Sequence, residues 1–301
     1  MKTAFVKFVS LIAIFLVGGS SKSIAPSLAL PSADEKPAVL VGAGDIADCS
    51  DISGAEATAK LIDQIPGTVM AIGDLAYPDG TKENFACYDR TWGRFKDRTR
   101  PAVGNHEFHS TGATFYFQYF GAVAGDSKDG FYSYELGTWH IIVLNSECEE
   151  VGGCQLGSPQ EKWLRTDLVS HPTACALAYF HKPLFSSGAK HGSAPELKAL
   201  WKALYEANVD VVVGGHDHDY ERFAPQTPDG AADAKRGIRE FVVGTGGKNQ
   251  RPFASPLPNT EVRNNDAFGV LKLTLHSNSY DWQFIPEAGK SFTDSGSTGC
   301  H

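Results

Sequence analysis

No stretch of this sequence concentrates lysine and arginine: 27 basic residues stand against 35 acidic ones, for a formal charge of -8. A surface built to neutralise nucleic-acid phosphates needs clustered cations, so a nucleic-acid-binding face is not expected. Long apolar runs are missing too. Residues 8–17 form the most continuous one, well short of the roughly 20 residues a spanning helix requires, so no membrane span is expected. There is no Cys-x-x-Cys pair, which argues against a cysteine-ligated zinc site. The chain also lacks an internal repeat, a low-complexity stretch and a recognisable linker beyond its N-terminal region, so one large domain is expected from its 301 residues.

The N-terminal region reads as processing sequence, not fold. Lys2 and Lys7 precede the apolar run, small residues follow at 18–21, and small-x-small cleavage sites end at Ala25 or Ala29. That layout predicts a secretory signal over 1–29, a polar leader over 30–37 and a folded domain over 38–301. The domain carries six cysteines. An even number in an exported chain favours disulfides over free thiols. Connectivity stays open at this level; proximity favours Cys148–Cys154, then Cys49–Cys87 and Cys175–Cys300.

Hydrophobic patterning gives an order of elements. Residues 38–43, 68–72 and 100–103 read as strands, with helices over 55–65 and 85–95 between them. This alternation predicts a layered α/β fold with parallel strands. Residues 131–136 and 139–144 flank a Gly137-Thr138 turn and read as a hairpin. Ser158-Pro159-Gln160-Glu161 is a helix start with a capping box, and Ser193-Ala194-Pro195-Glu196 repeats the pattern. Strands are expected at 209–213 and 239–243, with a closing hairpin of 269–275 and 280–285. Two packed sheets with outer helices is the simplest architecture.

Five short segments each follow a predicted strand: Gly44-Asp45-Ile46-Ala47, Gly73-Asp74-Leu75-Ala76-Tyr77, Gly104-Asn105-His106-Glu107, Tyr179-Phe180-His181 and Gly215-His216-Asp217-His218. Strand ends along one edge of an α/β sheet are where loops converge on a site. Singly, each segment is an ordinary turn. Together they offer carboxylate, phenol, amide and imidazole donors, the set that hard and borderline metals take. One ion would not use so many; two ions sharing a carboxylate would.

In order and wording the five segments resemble the calcineurin-like metallophosphoesterases, and within them the purple acid phosphatases, whose pattern reads GDxG, GDxxY, GNH plus an acid, VxxH and GHxH. The resemblance spans about residues 38–222, with two departures: GDIA in the first motif, and Ala178 in place of Val in the fourth. Neither touches a ligand position. Most of the wider superfamily has Asp-x-His in the first motif. Here Ala47 replaces that His, and Tyr77 is the substitute donor that the resemblance implies.

The resemblance implies a four-layer α/β/β/α sandwich of two mixed sheets flanked by helices, with the metal site at strand C-terminal ends. It implies a first metal held by Asp45, Asp74, Tyr77 and His218, and a second by Asp74, Asn105, His181 and His216, with Asp74 as the bridge. A tyrosinate favours Fe(III) at the first site; Fe(II), Zn(II) or Mn(II) would fit the second. Roughly three negative ligand charges against about five positive leave a centre that attracts a phosphate dianion despite the acidic chain. Hydroxide between the metals would attack phosphorus, with His106 as general acid and Glu107 orienting or charge-stabilising it.

Other residues carry weaker expectations. Arg222 pairs with phosphate or, more simply, forms a structural salt bridge. His191, in the glycine-containing stretch 186–192, overhangs the site or lies on an ordinary surface loop. Gly244-Thr245-Gly246-Gly247 lacks the Lys-Ser/Thr of a P-loop and reads as a close-packed loop near the metals. Asp48, His109, His140, His171, His276 and His301 have no supporting context. The function expected is a secreted phosphomonoesterase. A phosphodiesterase or nucleotidase on the same centre is the alternative, and a secreted binding protein on a phosphatase scaffold is a more distant one.

Overall fold

A computed structural model describes residues 36–301, together with 1, 2 and 4. Apart from residues 1, 2, 4, 36 and 37, the expected signal and polar leader therefore lie outside the described residues. Within 36–301 the β-rich runs form two mixed sheets. The first has six strands: β15 (Asp294–Gly299), β14 (Ser279–Pro286), β13 (Gly269–Leu275), β1 (Ala38–Ala43), β3 (Thr68–Ile72) and β5 (Thr99–Ala102), in that spatial order. β1, β3 and β5 run parallel, and the remaining pairs are antiparallel. The second has seven: β12 (Thr260–Asn264), β10 (Tyr220–Phe223), β11 (Arg239–Val243), β9 (Val211–Gly214), β8 (Cys175–Tyr179), β7 (Trp139–Val143) and β6 (Tyr132–Leu136). Its central strands β11, β9, β8 and β7 are parallel. A short parallel pair, β2 (Ala47–Asp48) and β4 (Ala76–Tyr77), links the first two site loops.

Alternation along the strands explains the layering. Ile141 and Val143 of β7, Leu177 and Tyr179 of β8, and Val211 and Val213 of β9 enter the large core shared with the first sheet. Their neighbours Ile142, Ala178 and Val212 face a second core with Leu164 of α5 (Pro159–Ser170) and Leu200, Trp201 and Leu204 of α6 (Lys198–Glu206). A strand buried on both faces has side chains of period two in two separate cores, hence the uninterrupted apolar runs. On the other side α1 (Ser53–Ile62) lays Ala55, Ala59 and Ile62 into the large core. The four-layer expectation holds.

Several boundaries differ from the sequence reading. α1 starts earlier than 55–65, and it stops earlier because Pro66 disfavours helical geometry at Ile65. α2 (Lys82–Thr91) begins ahead of 85–95: Thr81 caps it by accepting from the Asn84 N–H at 3.3 Å, while Asn84 Oδ1 accepts from the Thr81 N–H at 3.2 Å. The Ser158 cap is present, its oxygen accepting from the Glu161 N–H at 3.3 Å. The Ser193 cap is not. Ser193 Oγ accepts instead from the Ser186 N–H, and α6 starts only after a 3-10 turn at Pro195–Leu197. β10, β12, β15, α3 (Asn105–Phe108) and α4 (Thr114–Phe120) were not anticipated. All three disulfides join the expected partners, with Cα–Cα separations of 5.5, 5.1 and 5.6 Å.

Candidate metal centre

The parallel strands β1, β3 and β5 end in Gly44-Asp45, Gly73-Asp74 and Gly104-Asn105, and β8 and β9 run out into His181 and His216-Asp217-His218. Close approach of the two sheets at these ends is steric as well as polar. Gly73 has φ 72°, and a Cβ there would sit 2.5 Å from the His181 side chain. Three of the expected ligands, Asp45, Asp74 and His216, themselves adopt positive φ. Such backbone is costly for a residue with a side chain and recurs where a site is pre-organised.

Six of the seven expected ligands fall into two linked groups. Tyr77 donates its hydroxyl to Asp45 Oδ1 at 2.7 Å and lies 3.2 Å from His218 Nε2, which is itself 3.2 Å from Asp45 Oδ1. His181 Nε2 is 3.1 Å from His216 Nδ1 and 3.2 Å from Asp74 Oδ2. Asp74 Oδ2 also lies 3.0 Å from the Tyr77 hydroxyl, so one carboxylate oxygen stands between the groups. Its partner Oδ1 accepts from the His106 backbone N–H at 2.9 Å. Asp74, His181 and His216 each bring a ligand atom within 4.8 Å of the others.

The chemistry of these atoms is that of an ion site. His181 donates Nδ1–H to the Ile72 carbonyl at 2.9 Å, and His218 Nδ1 lies 3.0 Å from Asn249 Oδ1. Both rings thereby face the carboxylates through Nε2, where a bound ion would take the place of a proton. Asn105 Oδ1 is buried with no hydrogen-bond partner, which would be an expensive orphan without a cation. Burial opposes charge on Asp45 and Asp74, but the facing imidazoles, His218 for Asp45 and His181 for Asp74, hold both carboxyls below the ordinary range. Burial likewise opposes charge on His181, yet Asp74 outweighs it and pushes that imidazole up to about 10. Burial, with Asp45 and Asp74, pushes the Tyr77 phenol well above its usual value. A convergence of acceptors so strained by proximity fits two metal ions.

Around this core the neighbours sort themselves. His106 gives Nδ1 to the Pro78 carbonyl, packs against Tyr77 at 4.3 Å between centroids with the rings tilted by 52°, and leaves Nε2 3.7 Å from Asp74 Oδ2. Glu107 does not orient His106, contrary to the sequence expectation. Its fully buried carboxylate accepts from the backbone N–H groups of Asp74, Leu75, Ala76 and Gly104, at 2.9, 2.8, 3.2 and 2.9 Å. Burial and the Asp74 charge push its carboxyl up to about 8, against the pull of those donors. Arg222 does not reach the site: it is committed to Asp294 at 2.7 Å and to Glu261, over the Trp282 ring. Its structural reading is the correct one.

His191 does reach the rim, its ring 4.1 Å from that of His216. Burial and the adjacent Arg251 guanidinium push it down to about 4, so at neutral pH its Nε2 accepts from Arg251. Arg251 escaped sequence reasoning, as did Asn249 and Lys248, which lies 5.1 Å over the Tyr77 ring. The only signal was their position just past the glycine-rich loop. That loop is close-packed as expected: Gly246 donates to the Gly44 carbonyl at 2.8 Å.

A two-sheet α/β sandwich with such a donor set at its strand ends defines a metal-dependent class of protein. The chain belongs to the calcineurin-like phosphoesterase family, whose sequence pattern matches residues 30–220. Its relatives include Purple acid phosphatase 23 of Arabidopsis thaliana, 27% identical over 65% of this chain and 50% of that protein. Probable inactive purple acid phosphatase 9 of the same plant is 25% identical over 67% of this chain and 37% of its own length. The chain thus spans about half, or less, of these relatives. In fold it matches a purple acid phosphatase from yellow lupin (Lupinus luteus) seeds, with a TM-score of 0.71 and 18% identity over 87% of this chain and 54% of that one. Among the described residues no helix is long and apolar enough to cross a membrane.

Proposed function

We propose that this chain is an exported phosphomonoesterase working with two metal ions, the first held by Asp45, Asp74, Tyr77 and His218 and the second by Asp74, Asn105, His181 and His216. The observation that carries this reading is the position of Asp74 Oδ2, within 3.2 Å of both Tyr77 and His181; the orphaned Asn105 oxygen adds to it. Fe(III) suits the Tyr77 site, because only a strong Lewis acid would take the proton of a phenol held so far up by burial and two carboxylates. Fe(II), Zn(II) or Mn(II) suits the second. When bound, such a pair polarises the phosphoryl group and activates water for attack on phosphorus.

The protein's own groups do the rest. With Nδ1–H held by Pro78, the proton His106 can give sits on Nε2, facing the site. It passes to the leaving alkoxide as the ester P–O bond breaks, and is regained from solvent. His191 and Arg251 line the rim, where Arg251 supplies a fixed positive charge to a phosphoryl oxygen. Three disulfides support the expectation of an oxidising compartment.

A second reading, a phosphodiesterase, is favoured by one feature. A cavity of about 440 Å³ opens beside Asn105, lined by His109, Ser146, Glu147 and Lys182 among others, and would admit a second ester group. Hydrolysis of a nitrophenyl phosphate monoester against the bis-ester, with metal-replete protein, separates the readings. Preference for the monoester is expected. Preference for the diester would install the second reading, and inactivity on both would point to a binding protein.

A further inference from the structure

A second histidine-carboxylate cluster lies at the other end of the β7–β8 pair. His140, only 1% exposed, is paired in register with Ala176. His181 is five residues beyond Ala176 along the chain, about 16 Å at the rise of a strand. Glu135 Oε1 of β6 lies 2.8 Å from His140 Nδ1, and Asp167 Oδ2 of α5 lies 2.7 Å from His140 Nε2. His171, just past α5, stacks on His140 at 4.6 Å with the rings 13° from parallel, and its Nδ1 is 3.3 Å from Asp167 Oδ1. Ser133 donates to that same Oδ1 at 2.7 Å, so the carboxylate is fixed in place. One ligand atom from each of His140, Asp167 and His171 lies within 4.8 Å of the other two. A cavity of about 470 Å³ opens onto both histidines.

We propose that His140, Asp167 and His171 form a separate metal site that takes one borderline divalent ion of the Zn(II) type. Two imidazoles and one carboxylate are a donor set such ions favour, with a fourth position left for water. Bond lengths of about 2.0–2.1 Å at tetrahedral angles put ligand atoms about 3.4 Å apart. His140 Nε2 and Asp167 Oδ2, at 2.7 Å, need only move apart to admit an ion, whereas the half-exposed His171 has to leave its stack on His140 and the Asp167 backbone carbonyl, 2.9 Å from its Nδ1, to turn a nitrogen toward it. Glu135 supplies what a buried metal-ligating histidine needs at its other nitrogen: an acceptor for Nδ1–H, which keeps the Nε2 lone pair on the ion's side. An ion would replace the proton that His140 Nε2 and Asp167 share. The half-exposed His171 and the cavity form the entry path. An ion here would clamp the end of α5 to the β6–β7 hairpin, remote from the chemistry.

The test uses the full chain with its catalytic centre loaded, titrated with Zn(II) at neutral pH. Bound zinc is read by elemental analysis and located by anomalous diffraction. One further equivalent is expected, with an anomalous peak between His140 Nε2 and Asp167. His171→Ala should lose that equivalent while keeping the wild-type circular dichroism spectrum and hydrolysis rate. Glu135→Gln should weaken it about 10–100-fold. Equal zinc content in wild type and His171→Ala, or no peak at the cluster, would overturn the proposal and leave His140 as an imidazolium held between two carboxylates.

Discussion

Asp74 divides its two oxygens between tasks: Oδ1 holds the His106 backbone N–H, and Oδ2 faces Tyr77, His181 and, at 3.7 Å, His106 Nε2. It manages this from a left-handed backbone, φ 52°, a strain of about 1–3 kcal/mol for most side chains and less for aspartate. No residue code announces that conformation. The same loop geometry aims His106 inward, and its proposed role has a kinetic signature. His106→Ala should lower turnover about 10²–10⁴-fold on alkyl phosphates, whose leaving oxygen needs a proton, and far less on nitrophenyl phosphate. Parallel losses across a leaving-group series would mean that His106 only positions Asp74.

Between elements, Glu107 is the tie. One side chain bonds the loops after β3 and β5 through four backbone N–H groups, so the Asp74 and Asn105 segments share a single anchor. Glu107→Gln turns an amide N–H₂ against donors. The expected cost is about 1–3 kcal/mol in denaturant unfolding, together with reduced bound metal, although Glu107 is no ligand. Unchanged stability and metal content would remove it from this role. Sequence placed Glu107 beside His106 because they are neighbours in the chain, but neighbours on a helical turn such as α3 point in different directions. The caps show the same limit. Ser158 was readable because Pro159 and a following Glu leave little else for it to do; Ser193 was not, because Ser186 competes for its hydroxyl from across a loop.

For the whole molecule, Cys175–Cys300 joins β8 of the second sheet to residue 300, just after β15 of the first, across a separation of 125 residues. A link of that span removes much freedom from the unfolded chain. The double variant Cys175→Ala, Cys300→Ala should lose about 2–5 kcal/mol, seen as a lower Tm, with the metal centre retained in the folded protein. An unchanged Tm would show the two sheets to be held by their shared apolar core alone.

Local pattern determined a good deal. Strand ends with glycine before a polar donor and alternation of apolar runs with helical spacing were enough for the layered fold and for a candidate set of donors, because each depends on residue type and short spacing; an even set of cysteines pointed to disulfides but left their connectivity open. Tertiary structure decided what depends on distance through space. It brought Arg251 and Asn249 to the candidate metal centre, withdrew Arg222 to Asp294, turned Glu107 onto the backbone, and gathered His140, Asp167 and His171 from a strand and a helix end that share no motif. Such contacts arise from how the two sheets and α5 pack, and packing follows from the sum of buried faces, which no window of sequence contains.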